Sequence, residues 1–222
     1  MKYNFLVSII QNQIWFWGNL FFQYWFSLKV EGIENLPKDK SYLIVSNHCS
    51  HLDGPAIIAA QKKHMKYVYS LAAQDYFFNS SFKGWFCKYF LNMIPFKRRG
   101  KSFEGLKFCQ NILAEGKIIL MFPEGTRSIT GKIQPFKLGL GFLAIKLKVP
   151  IVPVYIQGSY EAMPKGTYFP KKSTIKVIFG SPLDINIYLQ QQKIVQKKQI
   201  YRDIVNNIQT KIEQLQQLTI NN

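Results

Sequence analysis

The sequence has few acidic residues and few cysteines. Its 12 Asp and Glu residues stand against 29 Lys and Arg residues, which gives a formal net charge of +17. The three cysteines, Cys49, Cys87 and Cys109, lack the spacing of metal ligands, and an odd number cannot pair completely. This usage gives no indication of a disulfide framework and fits a reducing compartment. Internal repeats and linkers rich in Pro, Gly or Ser are also absent, so we expect the 222 residues to form one folded domain.

The excess of positive charge restricts the class of partner. Such a field attracts polyanions, meaning nucleic acid, an anionic membrane surface or a phosphate-bearing substrate. The sequence has no RRM, KH, helix-turn-helix or zinc-finger signature, and its basic residues come without the interleaved aromatics of a stacking platform. We therefore expect no specific nucleic acid partner. A basic nucleic-acid-binding module remains the rival interpretation from another class.

Charge is missing altogether near the N-terminus. No residue from Tyr3 to Leu28 is charged, and this stretch is long enough to span a bilayer. A signal peptide is not expected, because the preceding region has little charge and no small-residue cleavage site follows. At helical spacing the polar residues fall on one side, and this favours an amphipathic helix lying in the membrane interface over a spanning helix or a core helix. We predict a membrane-associating segment at residues 1–28 and a domain at residues 29–222.

The rest of the chain alternates short apolar runs with helical patterns. The predicted strands are residues 42–46, 67–71, 118–122, 151–156 and 174–179. The predicted helices are residues 54–60, 81–91, 103–114, 138–147 and 197–218. Strands that alternate with helices indicate an α/β domain with a mostly parallel, layered sheet flanked by helices.

The first motif with chemical potential is SNHCSHLDG, which follows the first buried strand. His48 at the end of a strand and Asp53 at the start of a helix would share one tight turn. An imidazole accepts a proton near neutral pH, and a carboxylate on its other nitrogen fixes the tautomer. The alternative is structural: Asp53 caps the helix and His48 fills a polar turn. His51 is a rival base with a less favourable spacing, and no paired Ser or Cys nucleophile is evident.

The second motif, FPEGTRS, comes directly after the strand at residues 118–122. Gly125 allows the backbone to approach a ligand closely, and Arg127 offers a planar fork for phosphate oxygens with the Thr126 hydroxyl nearby. Glu124 is expected to orient Arg127 or to bond a substrate hydroxyl. Loops at the carboxyl ends of strands are where open α/β sheets bind ligands. The alternative is an ordinary turn with a surface arginine.

A third motif, PFKRRG, places three cations before Gly100. Arg99, and Arg98 as an alternative, would clamp an anion, whereas Lys97 and Lys101 fit a solvated basic loop. The later stretch VPIVPVYIQGS is an apolar strand interrupted by prolines, with a structural role in closing the site wall.

In this order, the four stretches resemble the glycerolipid acyltransferase family, the 1-acylglycerol-3-phosphate acyltransferases. NHCSHLD is similar to the family's NHxSxxD block, and FPEGTRS matches its third block almost letter for letter. IPFKRRG and VPIVPVYIQGS resemble the second and fourth blocks, and the likeness covers about Val30 to Ser159. The joint occurrence is far more specific than any single block. The second block departs from the pattern, because a basic residue stands before the Arg where an acidic or neutral one is frequent.

The resemblance implies a function and a set of site residues. His48 would be the general base and Asp53 its orienting partner. The phosphate of the acceptor would be held by residues of the second and third blocks, namely Arg99, Glu124, Gly125, Thr126 and Arg127. The family's reaction implies acyl-CoA or acyl-carrier-protein as donor, lysophosphatidic acid as acceptor, and neither a metal, a cofactor nor a covalent acyl-enzyme.

The resemblance leaves several alternatives open. The acceptor could be glycerol 3-phosphate or another lysophospholipid, or a phospholipid could serve as donor. A non-catalytic membrane adaptor is a further possibility, although it would be expected to lack His48, Asp53 or Arg127, and all three are present. We expect the protein on an anionic membrane surface, at a cytoplasmic or stromal face.

Overall fold

The computed structural model describes residues 5–38, 40–61, 65–96, 103–191 and 195–220. Within them the chain forms a seven-stranded sheet flanked by helices. The strands are β1 (Lys29–Glu31), β2 (Leu43–Ser46), β3 (Val68–Ala73), β4 (Met93–Phe96), β5 (Ile118–Met121), β6 (Ile151–Gln157) and β7 (Lys176–Phe179). The helices are α1 (Phe5–Tyr24), α2 (Asp53–Ala60), α3 (Gln74–Phe77), α4 (Ser81–Tyr89), α5 (Phe103–Ala114), α6 (Gly139–Leu147), α7 (Ser159–Ala162), α8 (Asn186–Gln191) and α9 (Lys197–Ile220), with 3₁₀ turns at Ile33–Asn35 and Met65–Tyr67.

The strand order across the sheet is β1-β7-β6-β2-β5-β3-β4. Strands β2 to β6 run parallel to one another, because every pair among them that is hydrogen-bonded is parallel. β7 is antiparallel to β6, and β1 is parallel to β7. The ends of β2 to β6 therefore meet at one edge, which we call the carboxyl edge; the opposite side is the amino edge. The predicted α/β domain with a mostly parallel sheet is confirmed.

The central strands are buried on both faces, which explains their continuous apolar runs. Because side chains alternate along a strand, Leu43 and Val45 of β2 pack with Leu140 of α6 on one face. Ile44 packs with Ile57 of α2 on the other face. β2 lies between β5 and β6, so the loop that follows it emerges near the middle of the sheet.

α1 leaves most of its large apolar side chains exposed, which is unusual for a surface helix of a soluble protein. The polar side chain of Gln11 is buried, and its Nε2 donates to the carbonyl of Tyr89 at 2.9 Å and to Asn92 Oδ1 at 3.0 Å. Most of the large apolar side chains on the other side of the helix are exposed: Phe5, Leu6, Ile9, Ile10, Phe16, Trp17, Phe21 and Tyr24. α1 thus buries Gln11 and Phe22 against the protein and leaves an apolar stripe exposed, although Asn12, Gln13 and Gln23 are exposed as well. Among the described residues, no helix has the length and hydropathy needed to cross a bilayer.

The end of the N-terminal segment belongs to the core. Phe22 and Phe26 are buried and pack in the cluster that contains Ile44. The predicted division between residues 1–28 and 29–222 stays a prediction, but these two side chains tie the segments together.

The structure also adds elements that the sequence patterns missed. β1 and β4 are short strands at the two ends of the sheet, and β4 contains Pro95, which an edge position tolerates. The stretch expected to be interrupted by Pro150 and Pro153 is a continuous strand from Ile151 to Gln157. The carbonyl of Pro153 accepts from the amide of Gly180 and so points towards β7. The nitrogen of Pro153 points the same way, so its lack of an N–H group removes no hydrogen bond between β6 and β2.

Candidate active site

The two main motifs leave the sheet side by side at the carboxyl edge. β2 and β5 are neighbours, with Val45 opposite Met121, so the turn after Ser46 and the loop after Met121 start next to each other. The first carries His48 and the second carries residues 122–128. Neighbouring parallel strands therefore bring together motifs that are more than 70 residues apart in the sequence.

The side chain of Asp53 organises the turn that carries His48. Its Oδ2 accepts hydrogen bonds from His48 Nδ1 at 2.8 Å, from the amide of Cys49 at 2.7 Å and from the amide of Ser50 at 2.8 Å. Asp53 is the first residue of α2 and is fully buried. Because these amides precede the helix, the carboxylate orders the turn and does not serve as a side-chain cap for α2.

The imidazole of His48 is oriented on two sides. Its ring stacks on Phe122 with centroids 4.1 Å apart and an interplanar angle of 16°. Its Nδ1 faces Asp53, and 20% of the side chain is exposed. A carboxylate on Nδ1 selects the tautomer with the proton there, which leaves Nε2 as the proton acceptor. The arrangement matches that of a general base held by a buried carboxylate.

The main chain of His48 is bonded to the neighbouring loop in both directions. Its amide donates to Glu124 Oε1 at 2.8 Å, and its carbonyl accepts from the amide of Ser128 at 2.7 Å. Glu124 is buried, and burial raises the pKa of its carboxyl to about 7. The amides of His48 and Gln134 oppose this rise, and the charge of Asp53 adds to it. In the structure, Glu124 contacts the turn that carries His48.

Cations surround the second half of the loop. Gly125 has φ +73°, a conformation that favours glycine, and a side chain there would collide with the ammonium group of Lys137. Thr126 is exposed, and Lys165 Nζ lies 3.5 Å from its Oγ1. Arg127 is half-buried. The loop therefore combines a close-approach glycine, a hydroxyl and three cations, a set suited to an anion.

The other titratable groups of the turn are poor candidates for the base or a nucleophile. Burial, together with the charges of Arg127 and His48, lowers the pKa of His51 to about 4. Burial raises the pKa of the Cys49 thiol to about 12, with the charges of Asp53 and Glu124 adding to the rise. At neutral pH His51 is a weak base and Cys49 is a protonated thiol.

Two polar residues of the turn carried no prediction of their own. Asn47 is buried, and its side chain exchanges two hydrogen bonds with the backbone of Ile156 in β6. Ser50 Oγ donates to the carbonyl of Met163 at 2.7 Å. These contacts fasten the turn to β6 and to the chain after α7. The signal for these two residues in the sequence was their place in the NHxSxxD block, of which they are the Asn and the Ser.

The basic segment after β4 lies outside the described residues. This includes Arg99 together with Lys97, Arg98, Gly100 and Lys101, so the predicted contact of Arg99 with the acceptor stays a prediction. Among the residues that the structure does describe, no group of three or more His, Cys, Asp and Glu side chains could hold a metal ion.

Comparison with known proteins agrees with this geometry. A family model described as Acyltransferase matches residues 27–157, which include both motifs. The chain belongs to this acyltransferase family. The predicted resemblance is thereby confirmed at the level of the family.

Several acyltransferases with names that state an activity are similar to the chain. The 1-acyl-sn-glycerol-3-phosphate acyltransferase BAT2, chloroplastic, of Brassica napus is 29% identical over 171 residues, which are 75% of this chain and 48% of that protein. The chain thus spans about half of that relative's length. The 1-acyl-sn-glycerol-3-phosphate acyltransferase of Bacillus subtilis is 27% identical, and the match covers 85% of this chain and 91% of that one.

A solved acyltransferase structure has the same fold. The 1-acyl-sn-glycerophosphate (LPA) acyltransferase PlsC of Thermotoga maritima superposes with a TM-score of 0.67 and 26% identity. The match covers 92% of this chain and 80% of that one. The similarity therefore extends over almost the whole chain, including residues outside the family model.

Proposed function

We propose that the protein transfers a fatty acyl group from acyl-CoA or acyl-carrier-protein to the free hydroxyl of lysophosphatidic acid, forming phosphatidic acid. The observation that carries this proposal is the pairing of His48 with Asp53 beside the cationic loop. The two hydrogen bonds between the His48 main chain and that loop hold the base at a defined distance from the anion-binding residues. Such a site suits a substrate that carries both a hydroxyl and a phosphate.

The reaction requires one proton acceptor and no covalent enzyme intermediate. His48 Nε2 takes the proton of the acceptor hydroxyl while its oxygen attacks the thioester carbonyl carbon of the donor. Asp53 stabilises the imidazolium that forms. As the tetrahedral intermediate collapses, the C–S bond breaks, and the proton returns to the thiolate that leaves. The protonated state of Cys49 supports direct transfer, because a thiol of such high pKa is a poor nucleophile.

The acceptor phosphate is assigned to the loop at residues 124–127 and to Arg99. The guanidinium of Arg127 supplies a planar fork, and the backbone at Gly125 allows close approach. Lys137 and Lys165 add positive charge from two other segments of the chain. Glu124 has a supporting role, because its carboxylate holds the backbone of His48 in place.

The outward apolar stripe of α1 supports docking to a membrane. In water this stripe would leave Phe16, Trp17 and Phe21 in contact with solvent, whereas a lipid interface would cover them. We assign the protein to an anionic membrane surface, at a cytoplasmic or stromal face. A lysophospholipid acceptor is itself a component of such a surface.

A transfer assay with defined substrates tests the proposal. A labelled acyl group is offered from acyl-CoA and, separately, from acyl-carrier-protein, with lysophosphatidic acid and glycerol 3-phosphate as parallel acceptors. We expect labelled phosphatidic acid from lysophosphatidic acid with at least one donor. Transfer to glycerol 3-phosphate alone, or to another lysophospholipid alone, would show that this compound is the acceptor in place of lysophosphatidic acid. No transfer from either donor would contradict the proposed reaction.

A further inference from the structure

The carboxyl edge of the sheet carries exposed aromatic residues as well as the candidate active site. The connection from β6 to β7 begins and ends at this edge, because the two strands are antiparallel neighbours. Tyr168 and Phe169, which we call the aromatic tip, lie on this connection and are 90% and 87% exposed. Two adjacent aromatic rings with so little burial contribute almost nothing to the core. Their exposure calls for a binding role.

The aromatic tip is carried by an ordered loop. The amide of Lys171 donates to the carbonyl of Ala162 at 2.8 Å, which closes the loop at its base. The amide of Thr167 donates to the carbonyl of Pro164 at 3.2 Å and forms a turn just before the tip. The rings therefore project from a defined backbone.

The charged residues of the loop that carries the aromatic tip are all basic. Lys165, Lys171 and Lys172 flank it, and the sequence contains no acidic residue between Glu161 and Asp184. Aromatic rings next to lysines are typical of segments that enter the interface of an anionic bilayer: the rings reach the headgroup level and the ammonium groups meet the lipid phosphates.

The loop lies next to the anion-binding loop of the candidate site. Lys165 Nζ is 3.5 Å from Thr126 Oγ1, so the aromatic tip is three residues from a contact with that loop. The loop that carries the aromatic tip therefore also contacts the anion-binding loop through Lys165.

Other exposed aromatics occur at the same edge. β1 begins opposite Lys176 at the start of β7, so the end of α1, with exposed Tyr24, reaches this edge. α3 follows directly from the end of β3 and carries exposed Tyr76, and Phe82 follows near the start of α4. Aromatic groups from three separate segments thus lie at the edge that holds His48.

We propose that the aromatic tip inserts into the anionic interface of a bilayer beside the candidate site. This inference extends the membrane docking proposed for α1 and adds a second point of insertion. Two points of contact define an orientation, which a single interfacial helix does not.

Site-directed spin labelling of the full chain tests this proposal without measuring acyl transfer. A cysteine is introduced as Phe169→Cys and, in a control variant, as Ile187→Cys. Ile187 is 57% exposed in α8, which follows the amino edge, where Leu183 pairs with Ile151. The native Cys49, Cys87 and Cys109 are buried, so labelling is selective for the introduced thiol.

The label's accessibility to oxygen and to a water-soluble nickel chelate is then measured on vesicles of phosphatidylcholine and phosphatidylglycerol. We expect the label at 169 to become accessible to oxygen and protected from the chelate, while the label at 187 remains in water. A vesicle-bound protein whose label at 169 is as accessible to the chelate as that at 187 would overturn the proposal. Failure of the protein to bind these vesicles would also overturn it.

Two further outcomes would assign the tip to other partners. Immobilisation of the label at 169 by acyl-CoA without vesicles would make the tip a donor-binding element and overturn the proposal. Immobilisation that rises with protein concentration alone would make it a self-association surface and also overturn it. Both measurements are independent of whether lysophosphatidic acid is the acceptor.

A kinetic experiment tests whether the aromatic tip contributes to the proposed reaction. The variant Tyr168→Gln/Phe169→Gln is expected to raise the apparent KM for vesicle-embedded lysophosphatidic acid by at least about tenfold, because two aromatic contacts with the membrane are lost. Turnover of a short-chain, monodisperse acceptor should not change. The matched Ile187→Gln variant should leave both values unchanged. Equal losses with the two forms of acceptor would contradict a role in membrane contact.

Discussion

The amide of His48 donates to Glu124 Oε1 at 2.8 Å, so the turn that holds the base is bonded to the loop assigned to the acceptor phosphate. The Ser128 amide completes this connection by donating to the His48 carbonyl at 2.7 Å. A shift of one loop would therefore move the other. The proposed chemistry benefits from such a coupling, because the hydroxyl and the phosphate belong to the same acceptor molecule.

Replacement of Glu124 by Gln should change how stability depends on pH. Burial raises the pKa of Glu124 to about 7 from 4.5, so across that window the folded state binds more protons than the unfolded state. This group's contribution to the free energy of unfolding therefore falls as pH rises from 4.5 to 7. The Glu124→Gln variant lacks this loss of stability as pH rises. Its free energy of unfolding, relative to that of wild type, should therefore increase by roughly 3 kcal/mol between about pH 4.5 and about pH 8.

Urea denaturation of both proteins at the two pH values measures this difference. The glutamine side chain retains an oxygen that can accept from the His48 amide, so the comparison isolates the charge. A stability difference that stays constant with pH would show that Glu124 ionises normally in the folded protein.

The Asp53→Asn variant should fold and lose most of its turnover. The amide oxygen of Asn can replace part of the contact with the Cys49 and Ser50 amides, but a neutral side chain no longer fixes the tautomer of His48 or stabilises its imidazolium. We expect kcat for acyl transfer to fall by about 10²–10⁴-fold. Steady-state kinetics with circular dichroism as the folding control test this expectation. A folded variant with near-normal kcat would exclude Asp53 from the mechanism.

Arg127→Ala should weaken the binding of the phosphorylated acceptor. Loss of the guanidinium removes a charge-assisted contact, so KM for lysophosphatidic acid should rise by about tenfold or more, while KM for the acyl donor stays unchanged. Arg127→Lys is the matched variant, since it keeps the charge without the planar fork. An effect confined to the donor would contradict the assignment of this loop to the acceptor.

Substitution on the outer stripe of α1 should reduce membrane binding. We expect the Phe16→Gln/Trp17→Gln variant to partition onto anionic vesicles at least about tenfold more weakly than wild type, because two exposed aromatic contacts are lost. Flotation assays measure this change. Deletion of residues 1–28 is a poorer test than the sequence suggests, because it would also remove Phe22 and Phe26 from the core. Unchanged partitioning would show that another surface of the protein binds the membrane.

Much of the fold was predictable because its central strands are buried on both faces. Continuous apolar runs marked β2, β5 and β6, and the breaks after them marked the two motifs. The strands β1 and β4 were missed because each is short and lies at an end of the sheet, where pairing with a distant neighbour defines it. Local sequence carries little information about such pairing.

The candidate site was predictable in its residues but not in all of their contacts. His48 and Asp53 are close in sequence, so one turn brings them together. The contact of Glu124 with the His48 amide joins residues 76 positions apart and depends on the adjacency of β2 and β5. Likewise, periodicity identified α1 as amphipathic, but the burial of Gln11 depends on its tertiary partners, the carbonyl of Tyr89 and the side chain of Asn92.

The most direct test of the central claim compares His48→Ala with His51→Ala in the transfer of an acyl group to lysophosphatidic acid. Both histidines lie in the same turn, but burial lowers the pKa of His51 to about 4, and His48 is the one bonded to Asp53 through Nδ1. We expect His48→Ala to lower kcat by about 10²–10⁴-fold and His51→Ala to stay within about tenfold of wild type. Near-normal turnover by a folded His48→Ala variant would contradict the assignment of His48 as the base.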